Sequence, residues 1–442
     1  MQFIDLKAAP DLGIPRPPTV GQPVEAVRSI IQKVIDEADR ALFELTERFD
    51  RVKLDSLRVP EADVEAAYKA SPPALITALQ EAAARIRAFA RHQAIQPWEA
   101  EIGGGMMGET VHPVARAGCY VPGGHASYPS TVLMTAIPAA VAGVPEIALC
   151  VPPAADGSLP QATLAAARVA GVTEIYRVGG AQAIAALAYG TESIPKVEVI
   201  VGPGNIYVAL AKQQVAGLVG IDSIAGPSEI AVVTDGESDA RVIAYDLLAQ
   251  AEHGPDGTFA LVTWNEKTLV DVALQLTLIQ SEIDASDGLR AALERGCVGV
   301  AVKDLDQAVD CVNQFAPEHL ELLFEGAEDE YSRFKHAGAV FVGLWSPVPF
   351  GDYVAGSNHV LPTGGGARWA SGLRTSHFQR TSAVIRHTKT SLAAAVNHIE
   401  ALAQAEGLPN HGRAVAARFA EPVPLQAVEW NNDERSRPET GA

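Results

Sequence analysis

The feature that most constrains this chain is a rhythm between Ala117 and Val215. Short apolar runs at Gly118–Val121, Ile147–Val151, Ile175–Val178 and Val197–Val201 each lead into a Gly/Pro turn and then, in most cases, an Ala-rich stretch. Strands alternating with helices specify βαβ units, and these assemble into a parallel sheet with right-handed crossovers. A second series follows, with strands expected at Glu229–Val233, Phe259–Thr263, Val298–Val302 and Ala339–Val342 and helices near 238–252, 266–280, 305–315 and 328–336. The fold class is therefore α/β: two Rossmann-like domains with mainly parallel sheets, plus a small N-terminal and a helical C-terminal appendage.

Residues 1–24 contain five prolines and read as an extended lead-in. Val27, Ile30, Ile31, Val34 and Ile35 recur at helical spacing in an amphipathic stretch over 25–49, and a second helical stretch covers 71–92. After Gly372 only helices are expected, near 391–406 and 411–420, and the polar residues 431–442 read as a disordered tail. These limits suggest a first, discontinuous α/β domain over 25–118 and 237–372, a second over 119–236, and a helical segment over 373–430. The length of 442 residues, too great for one ordinary core, agrees with two main domains.

Charge narrows the partners. The net charge of −19, from 53 acidic against 34 basic residues, would repel a phosphate backbone, and no dense Lys/Arg cluster offsets it. Nucleic acid is not an expected partner. Cys119, Cys150, Cys297 and Cys311 include no CxxC pair and read as reduced, mostly buried thiols of a cytoplasmic protein. The start, MQFIDLKAAPDLGIP, lacks a basic run followed by an apolar one, so no signal peptide is expected. The longest nearly uncharged stretch, 117–145, is punctuated by Pro122, Pro129, Pro138 and Pro145, which argues against a membrane span of roughly 20 apolar residues.

Three turns invite a ligand: CYVPGG (119–124), VGGAQA (178–183) and VGPGN (201–205). Parallel sheets bind ligands outside the carboxyl ends of their strands, and each turn combines glycine with a helix start whose free N–H groups suit an anion. One such turn is often a packing device, but three on one edge favour a nucleotide. Gly103, Gly105 and Gly108 also spell GxGxxG, yet they sit between extended segments and suit a hairpin rather than a cofactor loop.

The polar candidates lie in the second half. Gln250 and His253, in QAEHGPDG, lie three apart near a helix end and share a face. Asp352 and His359 occupy the loop GDYVAGSNHVLPT, and His411 opens the final helix with Glu406 just upstream. Together these could offer nitrogen and oxygen ligands to zinc with an open position, although each alone has an ordinary structural reading and glutamine is an uncommon zinc ligand. Glu318 and His319, in NQFAPEHLEL, form an adjacent acid and imidazole that suits acid–base work, or else a chance pair in an exposed loop.

These segments resemble the histidinol dehydrogenase family, and the match runs over nearly the whole chain. ELTERFD (44–50), CYVPGG with YPSTVLM (128–134), VGGAQAIAALAYGTE, VIVGPGNIYV, AGPSE (225–229), QAEHGPD, APEHLE, GDYVAGSNHVLPT and AEGLPNH (405–411) occur in the family's order and spacing. The resemblance implies Gln250, His253, Asp352 and His411 as zinc ligands and Glu318 and His319 as the acid–base pair. It further implies Ser228, His359 and Glu406 in the pocket for L-histidinol, and Tyr120, Gln182 and Asn205 against NAD. It implies a homodimer in which Glu406 and His411 reach the partner subunit's active site.

The implied chemistry is a four-electron oxidation of L-histidinol to L-histidine. Zinc binds nitrogen donors well and would hold the imidazole and amine of the substrate, with its alcohol beside the nicotinamide. The segment 371–384, the glycines Gly364–Gly366 and His125 depart in places from the family's usual pattern, and none of them is an implied ligand or acid–base position. Two alternatives stand beside this reading: a paralogue oxidising another small alcohol, such as a dihydroxy sulfonate, and a zinc hydrolase that uses Glu318 as base and no nucleotide.

Overall fold

The computed structural model describes residues 1–7, 13–16, 23–123, 127–224 and 226–420; His125 and the tail expected over 431–442 lie outside the described residues. The chain forms two units, one of residues 1–96 and 111–380, the other of 97–110 and 381–442.

The chain opens with β1 (Gln2–Asp5) and four helices, α1 (Val24–Glu37), α2 (Asp39–Asp50), α3 (Glu61–Ala70) and α4 (Pro73–His92). Past the hairpin of β2 (Trp98–Ile102) and β3 (Gly105–Pro113) come β4 (Arg116–Tyr120), α5 (Pro129–Ala142), β5 (Glu146–Val151), α6 (Gln161–Ala170) and β6 (Glu174–Arg177). Then α7 (Gly180–Tyr189), β7 (Val199–Val201), α8 (Ile206–Val215) and β8 (Gly220–Ile221) complete a parallel sheet in the order β6-β5-β4-β7-β8. The chain steps outward from β4 in one direction and from β7 in the other. The topological switch point therefore falls between β4 and β7.

Helices cover both faces of this sheet. One core joins α3, α4, α5 and α6 to the strands, and the other joins α1, α2, α7 and α8. The helices of 25–92 thus belong to this sheet, not to a domain with 237–372 as the sequence suggested. Val27, Ile30, Ile31 and Val34 do form a buried stripe. A stripe records that a helix has an inner face; it does not say which sheet receives it.

The other sheet of the first unit contains β9 (Glu229–Thr234), β10 (Thr258–Thr263), β11 (Cys297–Ala301), β12 (His319–Leu323) and β13 (Ala339–Val342). They are linked by α9 (Ala240–Ala251), α10 (Glu266–Glu282), α11 (Asp287–Gly296), α12 (Leu305–Phe315) and α13 (Ala327–Glu330), with α14 (Val348–Tyr353) following β13. All pairings are parallel, in the order β1-β11-β10-β9-β12-β13. The lead-in contributes the edge strand β1, and the boundary expected at 236 falls before Glu229. β12 is a central strand that the sequence reading misses, because Pro317 and the polar pair Glu318 and His319 disguise the start of a fully buried run.

In the second unit the hairpin and β14 (Gln379–Arg386, entering the unit at Thr381) form a sheet in the order β14-β3-β2, followed by α15 (Lys389–Ala405) and α16 (Pro409–Ala416). Gly103 and Gly104, both at positive φ, make the expected hairpin turn. The expectation of helices alone after Gly372 misses β14, whose mostly exposed residues carry no alternating apolar signal.

All four cysteines are buried free thiols. Burial pushes Cys119, Cys297 and Cys311 up to about 12 and Cys150 higher still. No helix among the described residues is long and apolar enough to cross a membrane.

Candidate active site

At the carboxyl rim of the five-stranded sheet, the three glycine turns converge on Tyr120, the last residue of β4. Its buried hydroxyl accepts the N–H of Gly180, at the start of α7, at 3.1 Å. Gly202, with φ +119°, lies against the carbonyl of Tyr120 so closely that a Cβ there would collide with it. The Gly202 N–H donates to Asp222 at 2.8 Å and its carbonyl accepts from Lys212 Nζ at 3.0 Å. Lys212 and Asp222 are themselves a buried ion pair, so this turn is rigid. Asn205 caps α8 by accepting from the N–H groups of Tyr207 and Val208, and Gln182 is buried in the first turn of α7. Tyr120, Gln182 and Asn205 therefore flank the switch point, where an open parallel sheet leaves its crevice.

The second cluster lies at the opposite rim of the other sheet, at the amino ends of β9 and β12. Glu318 immediately precedes β12 and His319 opens it, and both bond to the peptide groups of Glu229, the first residue of β9. The Glu229 N–H donates to Glu318 Oε2 at 3.0 Å, and its carbonyl stands 3.1 Å from His319 Nδ1. A carbonyl only accepts, so Nδ1 carries the hydrogen and Nε2 is the atom turned toward the site. His319 Nε2 is buried without a hydrogen-bond partner among the described residues, 3.7 Å from Asp352 Oδ1. Burial pushes the Glu318 carboxyl up to about 7, the nearby imidazole offsetting part of this. Burial also opposes charge on His319, but the carboxylates of Glu318 and Asp352 outweigh it and raise the imidazole to about 9.

Two connections bring other groups to this rim. α9 runs back from the carboxyl end of β9, so its last turn returns Gln250, which is buried, and then His253, which is exposed. Asp352 comes from α14. Its carboxyl lies below the usual range: burial acts against this, but His319, His359 and His253 together prevail. The His359 ring bridges elements, with Nε2 2.9 Å from Thr131 Oγ1 on α5 and Nδ1 3.1 Å from the Asp352 carbonyl. Burial lowers its pKa. Asn358 adds a bond from its side-chain amide to the Met134 carbonyl at 2.6 Å. Because α5 begins at the carboxyl rim of the five-stranded sheet, these bonds tie the two rims together. Ser228 immediately precedes Glu229, and its carbonyl accepts the Thr258 N–H at 3.1 Å.

Gln250, His253, Glu318, His319, Asp352 and His359 thus share one neighbourhood. Glu406, at the end of α15, and His411, in α16, belong to the second unit and are exposed. No group of three or more His, Cys, Asp or Glu side chains among the described residues is arranged to hold a metal. The expected ligands of the first unit contain only two such side chains, His253 and Asp352, beside the amide of Gln250. The donor chemistry nevertheless fits zinc: one ionised carboxylate, one imidazole and one amide oxygen, with positions left for further nitrogen donors. His319 Nε2, buried and without a hydrogen-bond partner among the described residues, is a further polar atom beside this set.

A profile of the histidinol dehydrogenase family matches residues 18–419. The chain belongs to the histidinol dehydrogenase family. It is 48% identical over 395 residues to the histidinol dehydrogenase of Geobacillus kaustophilus, spanning 89% of this chain and 93% of that one. Against the enzyme of that name from a Synechococcus strain the identity is 46%, over 89% and 91% of the two chains. The crystal structure of histidinol dehydrogenase from Elizabethkingia anophelis superimposes with a TM-score of 0.89 at 35% identity, covering 95% of this chain and 98% of that one. Membership in this family makes the chain an oxidoreductase of the α/β class.

Three residues that sequence reasoning did not single out bear on the site. Glu229 closes the AGPSE motif and orients the acid–base pair through its backbone, a role no side-chain pattern reveals. Thr131 lies within YPSTVLM and meets His359 across a separation of 228 residues. Glu321, two residues beyond His319, is buried beside Asp246 of α9, and the two carboxyls interact.

Proposed function

We propose that the protein oxidises L-histidinol to L-histidine, with NAD as electron acceptor and zinc in the site. The observation that carries this reading is the pair Glu318 and His319, buried, hydrogen-bonded to the N–H and carbonyl of one residue and close to Asp352, in a chain of this family. When bound, zinc would supply a template for the substrate's nitrogens and NAD would take up hydride.

The residues divide the remaining work. Gln250, His253 and Asp352 would hold the metal, with His411 of a second copy as the further ligand and Glu406 beside it. His319 Nε2, the ring nitrogen on the side of Asp352, would accept the hydroxyl proton when the imidazole is neutral. The aldehyde stays bound, and Glu318, poised near neutrality, takes a proton from water as that water adds to the carbonyl. A second oxidation of the hydrate gives the carboxylate. Tyr120, Gln182 and Asn205 would receive the nucleotide at the switch point, where the His359–Thr131 bond joins the two rims.

The test pairs metal analysis with turnover on L-histidinol, before and after chelation. We expect stoichiometric zinc, two NADH formed for each histidine, loss of turnover on chelation and recovery when zinc is restored. Zinc-loaded protein that forms no NADH from L-histidinol would sink the reading.

A further inference from the structure

The side-chain hydrogen bonds of Glu318 and His319 both end on the peptide groups of Glu229, so whatever fixes Glu229 fixes the pair. The carboxylate of Glu229 is almost fully buried and is held by Arg16, from the lead-in. Arg16 Nε donates to Oε1 at 2.5 Å and Nη2 to Oε2 at 3.3 Å, the fork geometry that suits a guanidinium. The same Nη2 donates to the carbonyls of Phe315 and Ala316, and the guanidinium lies 4.2 Å from the Phe315 ring centre.

Those two carbonyls belong to the turn that delivers the pair to β12. Ala316 has φ +53°, a left-handed conformation that a residue with a Cβ rarely adopts, and it directly precedes Pro317. Such a turn persists only where its surroundings over-determine it. Arg16 therefore grips both supports at once: the side chain of Glu229, whose N–H donates to Glu318 and whose carbonyl accepts from His319, and the strained turn that feeds the pair into the strand. Neither support is close to it in the chain, at separations of 213 and 299 residues.

We propose that Arg16, acting through Glu229 and the Phe315–Ala316 turn, is a positioning residue for the acid–base pair. This rests on the reading that Glu318 and His319 perform the proton transfers. It gives the lead-in a part in catalysis although it supplies no group that touches substrate.

The test uses the full chain with its histidines labelled with carbon-13 at Cε1, the His319 ring signal being assigned with His319→Gln. Arg16→Met should broaden or split that signal and lower kcat about 10- to 100-fold, the scale of a misplacement near 1 Å, with KM for L-histidinol and zinc content within about two-fold of wild type. Arg16→Lys keeps a charge on Glu229 but not the fork, and should recover part of both readouts. Arg16→Met with Glu229→Met removes both charges, so thermal stability should return while the ring signal and kcat stay impaired. A double variant that recovers kcat would reduce the pair to a structural ion pair and overturn the proposal. So would a wild-type ring signal in Arg16→Met. If that single variant does not fold, the lysine and double variants decide. A wild type inert toward L-histidinol strikes instead at the assigned reaction, and the ring signal still decides the positioning role.

Discussion

The two parallel sheets of the first unit share an architecture and use it in opposite ways. Each has a switch point, between β4 and β7 in one and between β9 and β12 in the other. In the five-stranded sheet the carboxyl rim at the switch is built mainly from backbone: glycine turns, two helix starts and a tyrosine hydroxyl that accepts a peptide N–H. In the six-stranded sheet that rim is closed by its own bonds. Asp235 accepts from the N–H groups of Glu237 and Glu325, at 3.0 and 2.9 Å, and Ser238 Oγ reaches the Leu323 carbonyl at 3.4 Å. The pair Glu318 and His319 sits at the amino rim instead, buried, shifted in pKa and only partly partnered. A shape suited to binding and a set of groups suited to proton transfer thus come from different ends of one design.

The largest expected effect breaks the side-chain rim. His319→Asn should lower turnover by about 10²–10⁴-fold, the usual contribution of a general base, with zinc content unchanged by metal analysis. Equal loss of zinc would place His319 among the ligands and blur the division between binding and proton transfer. At the backbone rim, Gly202→Ala forces a Cβ into the Tyr120 carbonyl at a φ that side chains avoid. A strain of roughly 1–3 kcal/mol there should weaken NAD about 5- to 150-fold in a direct titration while zinc binding is retained. An unaltered nucleotide affinity would remove that rim from the site. Tyr120→Phe deletes only the acceptor for the Gly180 N–H, a loss of about 1 kcal/mol, and should raise KM for NAD about five-fold with kcat nearly unchanged.

The smallest effect probes the layer beneath the side-chain rim. Asp246 and Glu321 meet in the core, and burial, reinforced at Glu321 by the neighbouring carboxyl, raises both above their ordinary values. A carboxyl raised on folding binds its proton more tightly in the native state, so stability falls as pH rises from the unfolded range near 4 through the native values. Glu321→Gln removes the titrating group at nearly constant size. Its apparent melting midpoint should fall less than that of wild type between about pH 6 and 9, by a few degrees. Parallel curves would mean that the pair carries no shared proton.

Legibility followed the physics of each part. The βα rhythm from Ala117 onward announced both sheets because strands covered on two faces are continuously apolar. The partnership between α1–α4 and the five-stranded sheet was hidden, since an amphipathic stripe has the same form whichever sheet it meets. β12 was masked by the polar residues that make it interesting. At the site, the motif-bearing side chains Glu318, His319, Asp352 and His359 could be named in advance from the family resemblance. Glu229 could not, because it acts through peptide groups that every residue possesses, nor could Arg16, whose partners lie hundreds of positions away.

The buried cysteines have a chemical consequence. Each thiol is held in its neutral, weakly nucleophilic form, and none of the residues gathered around Glu318 and His319 is a cysteine. In the proposed oxidation an acyl group would therefore have no cysteine thioester to pass through on its way from aldehyde to acid. Oxygen from solvent would be the attacking atom, and the second half of that oxidation would be a hydration whose product is then dehydrogenated.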